Sequence, residues 1–188
     1  TGGAGFIGRH VAAVLVQSGA RITVMDRLSA RDKAWPIDMA DACRTVHMDI
    51  RSDPFVSHLM AERYAAVIHL AGPASVPLSV TEPYRDFEES LIATMKLLEV
   101  LRTSCQDTRL IVASSAAVYG NPASLPVSEE DPACPISPYG VSKLSAERYA
   151  AVYSRLYGLS IASLRFFSLY GPGQRKMLIY DLISKLSA

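Results

Sequence analysis

The chain has 188 residues, 49% of them hydrophobic and 20% charged, with a net charge of +1 at neutral pH: the balance of an ordinary globular domain long enough for one good core. No run of Lys or Arg marks a nucleic-acid or anionic-membrane surface, and no apolar stretch approaches the ~20 residues of a membrane span. The three cysteines, Cys43, Cys105 and Cys134, lack metal-ligand spacing and are odd in number, which fits a reducing cytoplasm better than a secreted disulfide framework.

The chain opens on glycines, Thr1-Gly2-Gly3-Ala4-Gly5-Phe6-Ile7-Gly8, with no strand before them, so an initial strand is expected to be missing. Phe6, Ile7, Val11, Val14 and Leu15 recur at helical spacing up to Ser18, and Gly19 suits the end of that helix. Ile22–Met25 reads as a short buried strand ending at Asp26; a charged loop follows, then a second strand over Thr45–Met48 before Asp49. Pro54–Arg63 predicts a short helix, Ala66–Leu70 a third buried strand, and Pro83–Arg102 a long crossing helix. Leu110–Ala113 is the fourth strand, and the stretch from Asn121 to Pro138 is a loop holding prolines 122, 126, 132, 135 and 138. Tyr139–Tyr157 is a helix and Ser160–Arg165 the next strand, followed by a last amphipathic segment, Met177–Leu186, that ends without a cap. Continuous apolar strands alternating with helices predict an α/β fold with a doubly wound parallel sheet, truncated at both ends.

Gly3-x-Gly5-x-x-Gly8 matches the dinucleotide fingerprint, in which the glycines allow a tight turn, close approach of backbone to a pyrophosphate, and close helix packing. Asp26 ends the next strand, where a carboxylate can accept both ribose hydroxyls and repel a 2′-phosphate, which favours NAD over NADP. Arg27 directly follows and has the chemistry to hold a phosphate. Asp49, at the end of the second strand, suits the adenine amino group, although a strand-end Asp is also an ordinary turn former. Ser114 and Ser115 follow the fourth strand at the carboxyl edge, where open α/β sheets bind ligands. Tyr139 and Lys143, four residues apart on a helix, present a phenol and an ammonium on one face. Alone that pair suits a core ring beside a solvated charge as well as a base. With a serine hydroxyl converging on the same edge, it suits removal of an alcohol proton as hydride leaves for a nicotinamide.

The runs from Thr1 to Gly8, Met48-Asp49-Ile50-Arg51, His69-Leu70-Ala71-Gly72, Ser114 to Gly120, Ser137 to Lys143 and Leu164 to Pro172, with Asp26 between, follow one another along nearly the whole chain. In that order they resemble the extended short-chain dehydrogenase/reductases, and within them the NAD-dependent sugar-nucleotide epimerases and dehydratases. The resemblance implies a Rossmann domain, residues 1–188, lacking its first strand and most of a carboxyl-terminal substrate domain. It implies Tyr139 as catalytic base, Lys143 lowering its pKa and binding the nicotinamide ribose, and Ser115 holding the reacting hydroxyl. Gly2, Gly5, Phe6, Ile7 and Gly8 would line the pyrophosphate, Asp26 the adenosine ribose, Asp49 and Ile50 the adenine, and Leu70, Ala71 and Gly72 the middle of NAD. Ser114 and Phe166 would also face the cofactor, and Ser168 the substrate phosphates. Homodimerisation through the helices Pro83–Arg102 and Tyr139–Tyr157 is implied as well, although apolar faces on these helices equally suit covering the sheet.

In the dehydratases of this family an Asp-Glu pair follows the catalytic hydroxyl, and the decarboxylases place a Glu just before Val-Tyr-Gly. Here those positions are Ala116 and Ala117, whose methyl groups cannot shuttle protons. Reversible redox at one carbon remains, so the resemblance implies a 4-epimerase of UDP-hexoses or UDP-N-acetylhexosamines. The other readings are a dehydratase, decarboxylase or reductase of the same family, and a non-enzymatic NAD-binding module, which would expect a broken Tyr or Lys. Ser168 and Ser90 stand where the family often has Asn, and Ala93 where it often has Gly; the Phe-Phe-Ser variant suggests a subgroup such as polysaccharide-assembly enzymes.

Overall fold

β1 (Ile22–Asp26) and β2 (Cys43–His47) pair in parallel from Ile22 with Cys43 to Asp26 with His47. The structure, a computed structural model, describes residues 1–27, 42–174 and 177–186; most of the charged loop expected after Asp26 lies outside the described residues. A second parallel ladder runs β3 (Ala66–His69), β4 (Arg109–Ser115), β5 (Ile161–Phe166). The opening residues join the two ladders: the Leu70 N–H donates to the Thr1 carbonyl at 3.0 Å, and the Gly2 N–H to the Met25 carbonyl at 2.8 Å. Thr1 and Gly2 therefore sit between β1 and β3, where the winding of the sheet reverses. That switch point, at the carboxyl ends of the strands, is where a doubly wound sheet forms its ligand crevice.

Adjacent residues of β1 show that both faces of the sheet are covered. Val24 packs with Ala12 of α1 (Phe6–Gln17) and with Cys43. Its neighbour Met25 belongs to the larger core with Phe55 of α2 (Asp53–Glu62) and Leu97, Leu98 and Leu101 of a later helix. Phe55, Leu97, Leu98 and Leu101 are all 0% exposed, each stabilising the fold by about 1.5–3 kcal/mol. This is what continuous apolar strands predict for a sheet with helices on both sides. Among the described residues, no helix is long and apolar enough to cross a membrane.

Several boundaries differ from the sequence reading. β2 begins two residues earlier than expected, because its ladder with β1 starts at Cys43. β4 runs through Ser114 and Ser115, which pair with Arg165 and Phe166, so these serines end the strand rather than follow it. A short helix, α3 (Val76–Thr81), capped by the Ser75 side chain, was not expected. The expected long helix is α4 (Pro83–Phe87), then a π turn at Glu88–Ile92, then α5 (Ala93–Ser104). Just after the π turn the Thr94 hydroxyl donates to the Ser90 carbonyl at 2.7 Å while lying 3.1 Å from Nε2 of buried His69. Burial, with a contribution from the Lys143 charge, holds the His69 pKa down at about 3, so a neutral ring bridges Thr94 and Thr1. α6 (Pro138–Tyr157) and α7 (Met177–Leu186) form where expected.

Candidate active site and cofactor turn

The glycine turn leads into α1 at the switch point, and its glycines do different work. Gly2 has φ +71°, and a Cβ there would lie 2.5 Å from the Ala71 amide nitrogen. A Cβ on Gly8 would lie 2.5 Å from the Gly2 carbonyl oxygen and from the Gly3 α carbon. A Cβ on Gly5 would meet only the Gly2 oxygen, at 3.2 Å. Gly2 and Gly8 thus pack the turn against β3 and α1, whereas Gly5 leaves the first turn of α1 bare on its open side. That cradle at a helix start, where the first N–H groups lack intrahelical acceptors, fits a dinucleotide pyrophosphate. Phe6 and Ile7 open α1 half-buried, and the loop after β5 docks there, with the Arg9 guanidinium donating to the Gly173 carbonyl at 3.0 Å.

Around this turn lie the residues expected to hold the adenosine half. Asp26 accepts from the Ala4 N–H at 3.0 Å, which fixes its carboxylate against the turn. Asp49 is clamped by Arg51, whose Nη2 lies 2.7 Å from Oδ2; these hydrogen bonds first, and then the arginine charges, hold its carboxyl below the usual range. Ile50 is 6% exposed and belongs to the core, so little of its side chain is left for an adenine. Leu70 and Ala71 are half-buried beside Thr1 and Gly2, and Gly72 is exposed at the edge.

The expected catalytic residues do come together. Ser137 caps α6, its Oγ accepting from the Gly140 N–H at 3.1 Å. A Cβ on Gly140 would lie 2.6 Å from the Ala117 carbonyl oxygen, so only glycine lets the first turn of α6 press on the 3-10 turn Ala116–Tyr119 that follows Ser115. That close approach sets Tyr139, at the start of α6, beside Ser115, whose side chain acts on the phenol. Lys143 lies one turn along α6, its Nζ 5.7 Å from the Tyr139 ring centre and donating to the Ala113 carbonyl at 2.9 Å. Arg165 ties the assembly to β5: it forms a bidentate pair with Glu147 of α6, with Nη2 to Oε2 at 2.8 Å, and its Nη1 donates to the Tyr119 hydroxyl at 2.7 Å. Ser114 points to the opposite face from Ser115, 4% exposed, with no hydrogen-bond partner for its Oγ among the described residues. Phe166 is half-buried at the end of β5, and Ser168, two residues on, is exposed.

The electrostatics depart from expectation. Burial, and after it the charge of Asp86, push the Tyr139 phenol up, opposed by the Ser115 side chain. Burial also pushes the Lys143 ammonium down to about 8, opposed by Asp86. Asp86 is a residue that the sequence reading missed. It lies in α4, 3% exposed, with Oδ2 accepting from the Ser142 hydroxyl at 2.7 Å and Oδ1 unpartnered among the described residues. Nothing local marks it; the packing of α4 against α6 brings it to the Tyr139–Lys143 face.

Comparison with known proteins places the chain in a family. The model of the "NAD dependent epimerase/dehydratase family" matches residues 1–188. A putative UDP-glucose 4-epimerase of Methanocaldococcus jannaschii is 36% identical over 174 residues, 93% of this chain and 56% of that relative, so the chain spans little more than half of its length. The crystal structure of UDP-glucose 4-epimerase from Brucella ovis in complex with NAD superposes with a TM-score of 0.80 at 36% identity, over 89% of this chain and 50% of that one. The UDP-N-acetylglucosamine 4-epimerase from Methanobrevibacter ruminantium, in complex with UDP-N-acetylmuramic acid, gives a TM-score of 0.88 at 30% identity, over 99% and 61%. The chain belongs to the NAD-dependent epimerase/dehydratase family.

Proposed function

We propose that the protein carrying this chain is an NAD-dependent 4-epimerase of UDP-hexoses or UDP-N-acetylhexosamines. The observation that carries the reading is the convergence of Ser115, Tyr139 and Lys143 beside the glycine turn, with Ala116 and Ala117 after the serine. Gly2, Gly5 and Gly8 would hold NAD, which would supply a reversible hydride acceptor. Tyr139 takes the proton of the C4 hydroxyl, Ser115 hydrogen-bonds that oxygen, and Lys143 holds a positive charge beside both. No carboxylate follows Ser115, so expulsion of water or CO₂ lacks its acid. The named activities of the relatives support the same reading. The whole protein, given UDP-glucose or UDP-N-acetylglucosamine, is expected to form the C4 epimer with no net NADH. Accumulation of a 4-keto-6-deoxy sugar would overturn the reading.

Residues 1–188 serve in this reading as the dinucleotide-binding domain, in a cytoplasmic protein. Val141, Tyr149, Val152 and Leu156 are exposed along one face of α6, with Tyr84 and Phe87 exposed on α4. An apolar helical stripe of this kind suits pairing with a second copy, which supports a homodimer.

Asp86 gives a further expectation for the same site. An anion favours the protonated form of each neighbour, so removing it lowers the pKa of both Tyr139 and Lys143. Asp86→Asn is therefore expected to move the pH–rate profile of the whole enzyme to lower pH by about one unit. A profile that stays in place would show that the Asp86 charge does not reach the site.

A further inference from the structure

The sequence places two opposed cofactor signals side by side. Asp26 suits a free 2′-hydroxyl and Arg27 suits a 2′-phosphate. The structure shows where the arginine goes. Nη1 and Nη2 of Arg27 each donate to one carboxylate oxygen of Glu89, both at 3.0 Å, the fork-to-fork geometry that makes a guanidinium–carboxylate pair strong and directional. The Glu89 side chain is only 10% exposed, and Arg85 also binds it, through Nε at 3.3 Å. Asp49 completes the surroundings, 3.9 Å from Arg27 Nη1.

Glu89 reaches this position through the π turn. Two adjacent side chains of the turn serve different partners: Ser90 is buried at 3% exposure beside Gly72, while Glu89 crosses to the end of β1. The residue that engages Arg27 thus comes from a helix 62 positions further along the chain. Arg51 is likewise held by Asp49, and Arg85 by Glu82 at 3.0 Å. Each of these arginines already has a carboxylate partner, so a second phosphate would have to compete for it.

We infer that Glu89 is a specificity-determining residue: by holding the Arg27 guanidinium, it denies a 2′-phosphate its cation and reinforces the preference of Asp26 for NAD. This rests on the dinucleotide reading of the glycine turn. A 2′-phosphate brings nearly two negative charges to the ribose. Beside Asp26, Asp49 and Glu89, with Arg27 committed, those charges meet carboxylates. With Glu89 neutral, the guanidinium becomes a phosphate ligand two bonds wide.

Binding of NAD⁺ and NADP⁺ to the whole protein, followed by calorimetric titration without substrate, tests this. In Glu89→Gln, and independently in Glu89→Ala, affinity for NADP⁺ is expected to rise about tenfold relative to the unaltered protein, with NAD⁺ affinity changed little. The double variant Glu89→Gln with Arg27→Ala is expected to lose the gain. Gain in the single variants with loss in the double supports the clamp. An unchanged NADP⁺ affinity in both single variants, while NAD⁺ still binds, overturns it, as does a gain that survives the loss of Arg27, because that would be a general field effect. Failure of the unaltered protein to bind NAD⁺ would instead reject the dinucleotide reading itself.

Discussion

Replacing Tyr139 by Phe is expected to lower epimer formation by about 10²–10⁴-fold, the range for loss of a positioned proton-transfer group, while NAD binding stays close to normal. The two effects separate because the substitution removes one oxygen and leaves the ring. The ring keeps its place near Lys143, and Lys143 keeps its hydrogen bond to the Ala113 carbonyl. What disappears is the hydroxyl that meets Ser115. The phenol is pushed up by burial and by Asp86, so in the protein alone Tyr139 is a phenol at neutral pH. The pyridinium of oxidised NAD, bound beside the ring, would add a positive charge that favours the phenolate. Turnover in wild type should therefore rise with pH, with an apparent pKa lower for the cofactor-loaded protein than for Tyr139 alone. Tyr139→Phe should show no such rise. Turnover within a few-fold of wild type in the variant would remove Tyr139 from the proton-transfer role.

The parts of this site that the sequence reveals are those that depend on short spacings. Gly2 to Gly8 lie in one turn, Asp26 ends the next strand, and Tyr139 and Lys143 sit one helical turn apart, so period and strand-edge position suffice to group them. Ser114 and Ser115 illustrate the limit. As residues beyond the strand both suit the edge; as the last residues of β4 they face opposite sides, and of the two it is Ser115 whose side chain acts on the Tyr139 phenol. Asp86 and Glu89 were not legible at all. Asp86 meets Ser142 across 56 positions and Glu89 meets Arg27 across 62, through packing of helices that a linear pattern does not encode. Glu89 lies in a π turn, a local departure from the 3.6-residue period that hydrophobic periodicity cannot register. The i,i+4 spacing of Tyr139 and Lys143 encodes their adjacency, but adjacency does not fix the direction of the phenol's shift. That depended on burial and on a carboxylate from another helix.

Alanine at Gly8 and at Gly5 should separate folding from cofactor binding. A Cβ on Gly8 would lie 2.5 Å from the Gly2 oxygen and the Gly3 α carbon, and 2.7 Å from the Gly3 carbonyl carbon. All three are backbone atoms of a turn held by the Gly2–Met25 and Leu70–Thr1 hydrogen bonds, so none can swing aside as a side chain could. The first turn of α1 must then lift away from the glycine turn. Gly8→Ala is therefore expected to destabilise the protein by about 3 kcal/mol, read from the denaturant midpoint, and to lose NAD binding with it. At Gly5 the added methyl meets only the Gly2 oxygen, at 3.2 Å, and otherwise occupies the open side of the turn. Gly5→Ala is expected to unfold within about 1 kcal/mol of wild type, because that contact needs a shift of only a few tenths of an ångström. Its cost falls on the ligand: the methyl stands where backbone must approach the pyrophosphate, and NAD affinity should drop at least tenfold, about 1.4 kcal/mol. Equal destabilisation by the two substitutions would mean that Gly5 is a packing residue like Gly8. The open side of the turn would then no longer mark the pyrophosphate site. Intact folding with intact NAD affinity in Gly5→Ala would place the cofactor elsewhere along the sheet edge.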